Sequence, residues 1–195
     1  NNVKTIKTVP LKLVQKKEKI PNKFEVRGEV FMEIGEFKKL NEQRESENLK
    51  LFANPRNSTA GTLKLQDPQI VASRPLNIFT YYLFMEEQEL TSQENNLKIL
   101  KSFGFKVNEN FKLCKNINEV IQYCEIWDKK RESLPYETDG VVIKVNDIEL
   151  QKKLNIDHEN IESFILIDGN KYYKKSTAAL RVAGMIGFPY NLLYP

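Results

Sequence analysis

The sequence Pro135-Tyr-Glu-Thr-Asp-Gly-Val-Val-Ile-Lys-Val145 joins an Asp-Gly turn signal to a run of β-branched residues. Such a run favours a pleated, half-buried strand. Strand alternation predicts Lys144 on one face beside Val142, and three apolar side chains on the other: Val141, Ile143 and Val145. Because a half-buried ammonium needs a partner, this placement suits a site that holds phosphate.

A second predicted strand, 24–31, alternates in the same way. It places Val26, Gly28 and Val30 on one face and three charged residues on the other: Glu25, Arg27 and Glu29. A glycine inside a strand often marks the close approach of a ligand or of another backbone. Taken singly, either strand is equally well explained as an edge strand with a solvated charged face.

Three segments follow one another in a fixed order: Glu25-Val-Arg-Gly-Glu-Val30, then Phe52-Ala-Asn-Pro-Arg-Asn57 with Gly61-Thr-Leu-Lys-Leu-Gln-Asp-Pro68, then Asp139-Gly-Val-Val-Ile-Lys-Val145. Together they resemble the adenylation domain of bacterial NAD-dependent DNA ligases, over about residues 1–154. Several matches in one register are more specific than a lone motif. The resemblance implies an α+β fold of the nucleotidyltransferase type (ATP-grasp-like), with antiparallel sheets flanked by helices and incomplete at both ends.

The family chemistry implies a role for each matching residue. In these ligases a lysine attacks the α-phosphate of NAD, nicotinamide mononucleotide leaves, and AMP stays on the lysine. AMP then passes to the 5′-phosphate of nicked duplex DNA, and a 3′-hydroxyl displaces it to seal the strand. The resemblance implies catalytic roles for Asp139 and Lys144, with Lys144 also contacting phosphate beside Arg56 and Arg131. It implies that Glu29 contacts the ribose.

The same resemblance implies NAD and Mg²⁺ as cofactors, and nicked duplex DNA and NAD/AMP as partners. Asp139 would help to place Mg²⁺ or keep the catalytic lysine deprotonated. Lys64 stands where many family members carry arginine, and we expect it to contact DNA phosphate. Two simpler explanations stay open: a cross-strand ion pair between Glu29 and Lys144, and an ordinary helix-terminal cation at Arg131.

The family's nucleophile motif, Lys-x-Asp-Gly, does not occur in these 195 residues. From about residue 155 the chain departs from the ligase pattern. Lys175-Ser-Thr-Ala-Ala-Leu-Arg181 and the Asp-Gly hairpin before it resemble the rear half of the DCC family of thiol-disulfide oxidoreductase-like proteins. We therefore expect a partial adenylation domain at 1–154, a DCC-like fragment at 155–195, and no self-adenylation. The alternatives are a non-catalytic nucleotide- or DNA-binding fragment and a thiol-disulfide oxidoreductase-like protein.

Composition sets broader limits. Hydrophobic residues make up 41% and charged residues 29%, values typical of a soluble globular protein. A net charge of +4 permits a nucleic-acid partner. The sequence has no apolar run long enough to span a bilayer, so we expect a cytoplasmic location. We also expect a monomer. Cys114 and Cys124 are ten residues apart, which matches neither a zinc site nor a redox motif and predicts reduced thiols.

Periodicity elsewhere predicts strands at 2–13, 75–84 and 105–108 and helices at 34–47, 94–103 and 117–131. Gly104 is expected to close the second helix, and Cys124 and Trp127 to lie in the core. The aromatic run at 75–84 is expected to pack in the core and not to stack bases. In the small polar stretch 54–61, Asn57 or Ser58 is expected to cap a short helix.

Overall fold

The computed structural model describes residues 2–14, 20–86 and 88–154, and the backbone of 165–168 and 171–174. Within these ranges the helices and strands, in chain order, are β1 (Phe24–Met32), α1 (Ile34–Ser46), α2 (Pro55–Leu63), α3 (Pro68–Ser73), β2 (Leu76–Met85), α4 (Gln93–Ser102), α5 (Ile117–Lys130), α6 (Ile148–Lys153), β3 (Ile165–Asp168) and β4 (Lys171–Lys174). Short 3-10 helices occupy Asn2–Thr5 and Arg131–Ser133. The chain divides into two compact units, 1–146 and 147–195.

The first unit is built on β1 and β2, which pair antiparallel. The register shifts between Arg27 and Gly28, which face Tyr82 and Thr80, so Tyr81 is the extra residue of a bulge. The predicted faces of β1 are confirmed. Val26 and Val30 pack onto buried clusters, whereas the glutamates of the other face are exposed.

Two buried clusters lie against this sheet. One forms where α4 and the segment after it meet β2, and contains Leu83, Met85, Ile99, Leu100, Phe103 and Val107. The other gathers around the end of β1 and contains Ile6, Met32, Val71 and Leu76. Each places branched or aromatic side chains beneath one face of the sheet, so the opposite face is left for polar and aromatic groups.

Gly28 marks a close approach of backbone. A Cβ at this position would lie 2.7 Å from the carbonyl oxygen of Phe79 and 2.9 Å from the side chain of Ile78. Contacts this short force a shift of the neighbouring strand. Of the two explanations offered for a strand glycine, the structure supports the approach of another backbone.

The predicted helices at 34–47, 94–103 and 117–131 are confirmed as α1, α4 and α5. Gly104 follows α4 with φ +96°, which only glycine adopts without strain, as predicted for a helix C-terminus. The predicted cap of α2 is wrong by several residues. Asn54 is the N-cap and accepts a hydrogen bond from the Asn57 amide, with Pro55 at the first helical position.

The strand predicted after Asp139 is not formed. Residues 141–145 have no strand assignment, and Val142 is 80% exposed and Ile143 51% exposed. β-Branched residues favour a strand only where a neighbouring strand supplies hydrogen bonds and packing. Within the described part of the first unit, β1 pairs only with β2, so these residues have no strand beside them to complete a ladder.

Two shorter strand predictions are also wrong. Near the start of the chain, the hydroxyl of Thr5 donates a hydrogen bond to the carbonyl of Asn2 within a 3-10 turn. The residue after this turn, Ile6, lies in a buried cluster. At 105–108 the backbone touches β2 only through Lys106, whose carbonyl accepts hydrogen bonds from the amide and hydroxyl of Thr80. One residue of pairing does not make a strand.

The burial predicted for α5 is wrong as well. Cys124 and Trp127 are half-buried, and α5 contains no fully buried residue. Within the part of the chain that the structure describes, its apolar side chains lack an opposing layer: Ile117 is 46% exposed and Ile126 49% exposed. The predicted run at 75–84, in contrast, is confirmed as the strand β2, with Leu76 and Leu83 buried. The core position predicted for its aromatic residues is wrong, because Phe79, Tyr81 and Tyr82 are half-buried and Phe84 is exposed.

The second unit contains α6 and a hairpin. Asp147 caps α6 by accepting a hydrogen bond from the Leu150 amide. β3 and β4 pair antiparallel, from Ile165 with Lys174 to Asp168 with Lys171, which confirms the predicted hairpin. The DCC-like motif lies outside the described residues, as does 176–187, where a capping Ser176 and a terminal Gly187 predict a helix.

Candidate functional site

The N-terminus of α2 brings together two of the predicted site residues. The Asn54 cap and Pro55 start the helix, so Arg56 stands in its first turn. Nη1 of Arg56 lies 3.4 Å from Oδ2 of Asp139, and both side chains are exposed, by 78% and 97%. An exposed ion pair this long contributes little stability. Both groups are therefore available to a ligand.

The segment containing Asp139 is anchored at the end of β1. The Ile34 amide, which begins α1, donates a hydrogen bond of 2.8 Å to the carbonyl of Pro135. The ring of Tyr136 then lies on Phe31 and Phe79, with centroid distances of 5.1 and 5.3 Å. These contacts hold the turn before Asp139 beside the sheet.

Phe31, Phe79 and Tyr136 form an aromatic cluster on the sheet face opposite the core. Phe31 stacks on Phe79 at 4.6 Å, and Nζ of Lys106 lies 5.3 Å from the centroid of Phe79. Glu29 is exposed on the same face of β1, directly across from Phe79. This cluster was not predicted from the sequence, although the alternation of Phe31 with Glu29 already placed one ring on the charged face.

Lys144 lies on the bulge of β2. Its Nζ is 4.8 Å from the centroid of the Tyr81 ring. The residue as a whole is exposed, but its amine is crowded by protein, and desolvation by burial lowers the pKa of Lys144 below the ordinary lysine value. Among the described residues, its side chain has no hydrogen bond or ion pair, so the alternative of a Glu29–Lys144 ion pair is not realised.

The two other predicted cations, Arg131 and Lys64, lie at helix C-termini. Arg131 caps the C-terminus of α5, where its Nη2 lies 4.0 Å from Asp128. Lys64 is the exposed C-cap of α2. Within the described ranges, neither is joined to Asp139 or Lys144 by a hydrogen bond or an ion pair.

The chemistry of the group suits an anionic nucleotide. It offers a planar guanidinium and a carboxylate paired at the start of α2, a desolvated amine on Tyr81, and a second exposed carboxylate, Glu29, on the same sheet face as the aromatic cluster. In the portion that the structure describes, no three His, Cys, Asp or Glu side chains gather as a metal cluster. Mg²⁺ usually binds one or two carboxylates together with substrate phosphates, and Asp139 fits that arrangement as a single ligand.

None of the helices in the described ranges combines the length and apolar character needed to cross a membrane.

The similarity to known proteins covers the residues of this candidate site. Residues 1–159 match the family described as NAD-dependent DNA ligase adenylation domain. A protein named DNA ligase from Cytophaga hutchinsonii is 44% identical over 156 residues, which cover 80% of this chain and 23% of that protein. Proteins of the same name from Thermotoga neapolitana and Fervidobacterium nodosum are each 50% identical over 154 residues, covering 78% of this chain and 22% of theirs. The chain thus spans less than a quarter of the length of these relatives.

Proposed function

The chain belongs to the NAD-dependent DNA ligase adenylation domain family, and we propose that it folds as part of a nucleotidyltransferase-type domain that binds the AMP portion of NAD. The whole protein would seal nicks in duplex DNA through a lysyl-AMP and a DNA-adenylate intermediate. The observation that carries the proposal is the Lys144 amine, which lies desolvated on Tyr81 without an anionic partner among the described residues.

Lys144 is proposed to bind the phosphate of AMP. Burial makes its charged form costly, and a bound phosphate offsets that cost by supplying the opposite charge. Charge builds on the non-bridging oxygens whenever AMP is transferred, so a fixed cation at that position lowers the barrier. Tyr81 presents a flat ring beside the amine, the kind of surface on which a nucleobase stacks.

Arg56 and Asp139 are proposed to exchange their mutual contact for contacts to substrate. The guanidinium of Arg56 suits the paired oxygens of a phosphate, and its long, exposed contact with Asp139 is easily replaced. The freed Asp139 would help to place Mg²⁺, which supplies charge neutralisation at the phosphates when bound, or would hold a lysine amine. Glu29 would accept a hydrogen bond from the ribose.

Two further roles follow from the family. Arg131 is proposed to reach the nucleotide when substrate is bound, and Lys64 to contact phosphate of nicked duplex DNA. These 195 residues contain no Lys-x-Asp-Gly sequence, so we propose that this chain by itself binds nucleotide and does not form the covalent lysyl-AMP. We also propose that the ligase-like part ends near residue 154 and that 155–195 is a separate fragment.

Calorimetric titration with AMP tests nucleotide binding. Lys144→Gln and Glu29→Gln should each weaken AMP binding at least tenfold, because each removes one of the groups assigned to the nucleotide. Lys98→Gln is the matched control, since it neutralises a lysine on α4 that is 61% exposed and paired with Glu94. Equal losses in all three variants would refute a specific site.

Incubation of the chain with radiolabelled NAD and Mg²⁺ tests the covalent step. We expect no label on the protein in a denaturing gel. A labelled band would show that another lysine of this chain acts as nucleophile.

A second candidate is a non-catalytic fragment that binds DNA phosphates, which the net charge of +4 favours. Duplex binding that falls steeply with salt, together with no calorimetric response to AMP, would support this candidate over the first.

A further inference from the structure

A pair of arginines lies on one phenylalanine, Phe52, in the loop between α1 and α2. Cζ of Arg44 is 4.5 Å from the centroid of the Phe52 ring, and Cζ of Arg74 is 5.7 Å from it. The two like charges repel, since the pKa of Arg74 is lowered by burial and further by the Arg44 charge, and without a nearby anion they destabilise each other. Among the described residues neither arginine forms an ion pair.

The ring that carries them is fixed on both sides. Asn41 holds the backbone of Phe52 by two hydrogen bonds of 3.0 Å, one donated by its amide nitrogen and one accepted by its amide oxygen. The ring edge lies against α2, because a Cβ on Gly61 would meet it at 3.5 Å. The platform is therefore ordered before any ligand arrives.

Each arginine is also held at its own end and keeps donors to spare. Nε of Arg44 donates to the carbonyl of Lys50 at 2.8 Å. Nη1 of Arg74 donates to the hydroxyl of Thr62 at 2.8 Å, and Thr62 is fully buried. A guanidinium has five N–H donors, so each side chain has several left for an anion. Burial and the nearby Arg44 charge both lower the pKa of Arg74.

We propose that Arg44 and Arg74 together bind one backbone phosphate of duplex DNA. The inference rests on the proposed function for the choice of DNA, and on the paired, half-buried guanidiniums for the choice of phosphate. Two planar forks suit the oxygens of a phosphodiester. A phosphate between them would also relieve their repulsion.

Arg74 is anchored through Thr62 to α2, the helix that also carries Arg56, so a polymer that runs along α2 could contact both. Thr62, which anchors Arg74, follows Arg56 by six residues of α2, or about 9 Å along the helix axis. Each strand of B-DNA carries a phosphate about every 3.4 Å along its axis. A strand that runs along α2 from Arg56 would therefore have a phosphate near Thr62, which holds Arg74, a few nucleotides away.

Fluorescence anisotropy of a labelled nicked duplex, titrated with the full 195-residue chain at several salt concentrations, tests the proposal. Arg44→Gln and Arg74→Gln should each weaken duplex binding several-fold. Because both contact one phosphate, the double variant should lose little more than either single variant. Its plot of log affinity against log salt should be shallower by about 0.9, the value for one phosphate contact.

The matched control is Lys39→Gln, which removes one charge from the same helix as Arg44. Lys39 is exposed and paired with Glu36 at 2.7 Å, so its loss should leave the salt slope unchanged. Arg44→Lys keeps the charge and loses the planar fork, and should recover only part of the affinity. Thermal unfolding of each variant shows whether the fold persists. If Arg74→Gln fails to fold, Arg44→Gln still tests the proposal, because it leaves the hydrogen bond between Arg74 and the buried Thr62 intact.

Calorimetry with AMP separates this site from the nucleotide site. We expect both arginine variants to bind AMP as the unaltered chain does. The proposal is overturned if the unaltered chain binds no duplex, if Lys39→Gln loses as much affinity as the arginine variants, or if these variants lose only thermal stability. Loss of AMP binding with unchanged duplex binding would also overturn it. Failure of AMP binding in the unaltered chain would instead count against the proposed function.

Discussion

Two stretches of the first unit share an alternation of β-branched and charged residues, β1 and the segment 141–145. Every residue of β1 has a partner on β2, and its apolar face covers two buried clusters. The segment 141–145 carries the same kind of pattern, yet Val142 is 80% exposed. Alternation thus specifies which side chains would share a face, whereas a partner strand decides whether the face is buried.

The sharpest test of this contrast compares a side chain beneath β2 with one on the unpaired segment. Leu100 is completely buried in the cluster under β2, so Leu100→Ala should lower the free energy of unfolding by about 2–5 kcal/mol. Val142→Ala should change it by less than about 0.5 kcal/mol. Urea unfolding measures both. A large loss for Val142→Ala would mean that the segment is packed in solution, and the contrast would fail.

A pair of glycines tests the close approach of the two strands. Gly28→Ala should destabilise the fold by about 1–3 kcal/mol, because overpacking must displace the backbone of Phe79. Gly35, in the first turn of α1, has nothing within 4 Å of the place where a Cβ would stand. Gly35→Ala should therefore be neutral or stabilising, by less than about 1 kcal/mol. Equal effects in thermal unfolding would show that β1 and β2 are farther apart than described.

The longer helices α1, α4 and α5, and the strands that are paired, could be predicted from sequence because their signals are local. The α4 helix has an apolar period of helical spacing and ends at Gly104, and both features survive in the fold. The pairing of β1 with β2 supplies the partner that each predicted strand required. The strand at 141–145 and the core position of Trp127 depend on distant neighbours, which periodicity does not reveal.

The candidate site was predictable in part, and for the same reason. The proximity of Arg56 and Asp139, 83 residues apart in the chain, follows from the order of family motifs and not from any local pattern. Lys144 contacts Tyr81, the extra residue of the β-bulge opposite Arg27–Gly28. An extra residue reverses which of the following β2 side chains lie on each face of the sheet. Alternation alone cannot reveal such a shift, because it is set by how two strands meet.

The start of α2 offers a test of intermediate size that joins fold and site. Asn54→Ala removes the oxygen that accepts the Asn57 amide, and should lower the free energy of unfolding by about 1 kcal/mol. Because the cap fixes the turn that carries Arg56, AMP binding should weaken too. Asn54→Asp keeps the acceptor and should retain stability in urea unfolding. If Asn54→Ala changes neither property, the cap does not position Arg56.

The smallest effect concerns the pH dependence contributed by Lys144, the charged residue of the unpaired stretch. Its pKa is lowered by desolvation, so between that pKa and the ordinary value of about 10.4 the unfolded chain binds more protons than the folded chain. The free energy of unfolding contributed by this group therefore rises with pH across that interval. Below it, both states are protonated and the folded state bears the full cost of a desolvated charge. Lys144→Met should accordingly stabilise the fold most near neutral pH, and urea unfolding should show this advantage shrinking as the pH is raised.

Saturating AMP should reduce the advantage of Lys144→Met at neutral pH, because a bound phosphate stabilises the charged amine of the unaltered chain. Lys98→Met, at an exposed lysine that is paired with Glu94, is the control for loss of a lysine charge as such. A difference between Lys144→Met and the unaltered chain that stays constant with pH would mean that the amine is solvated. The segment 141–145 would then differ from β1 in its lack of a strand partner alone, and Lys144 would have no electrostatic reason to attract phosphate more than any surface lysine does.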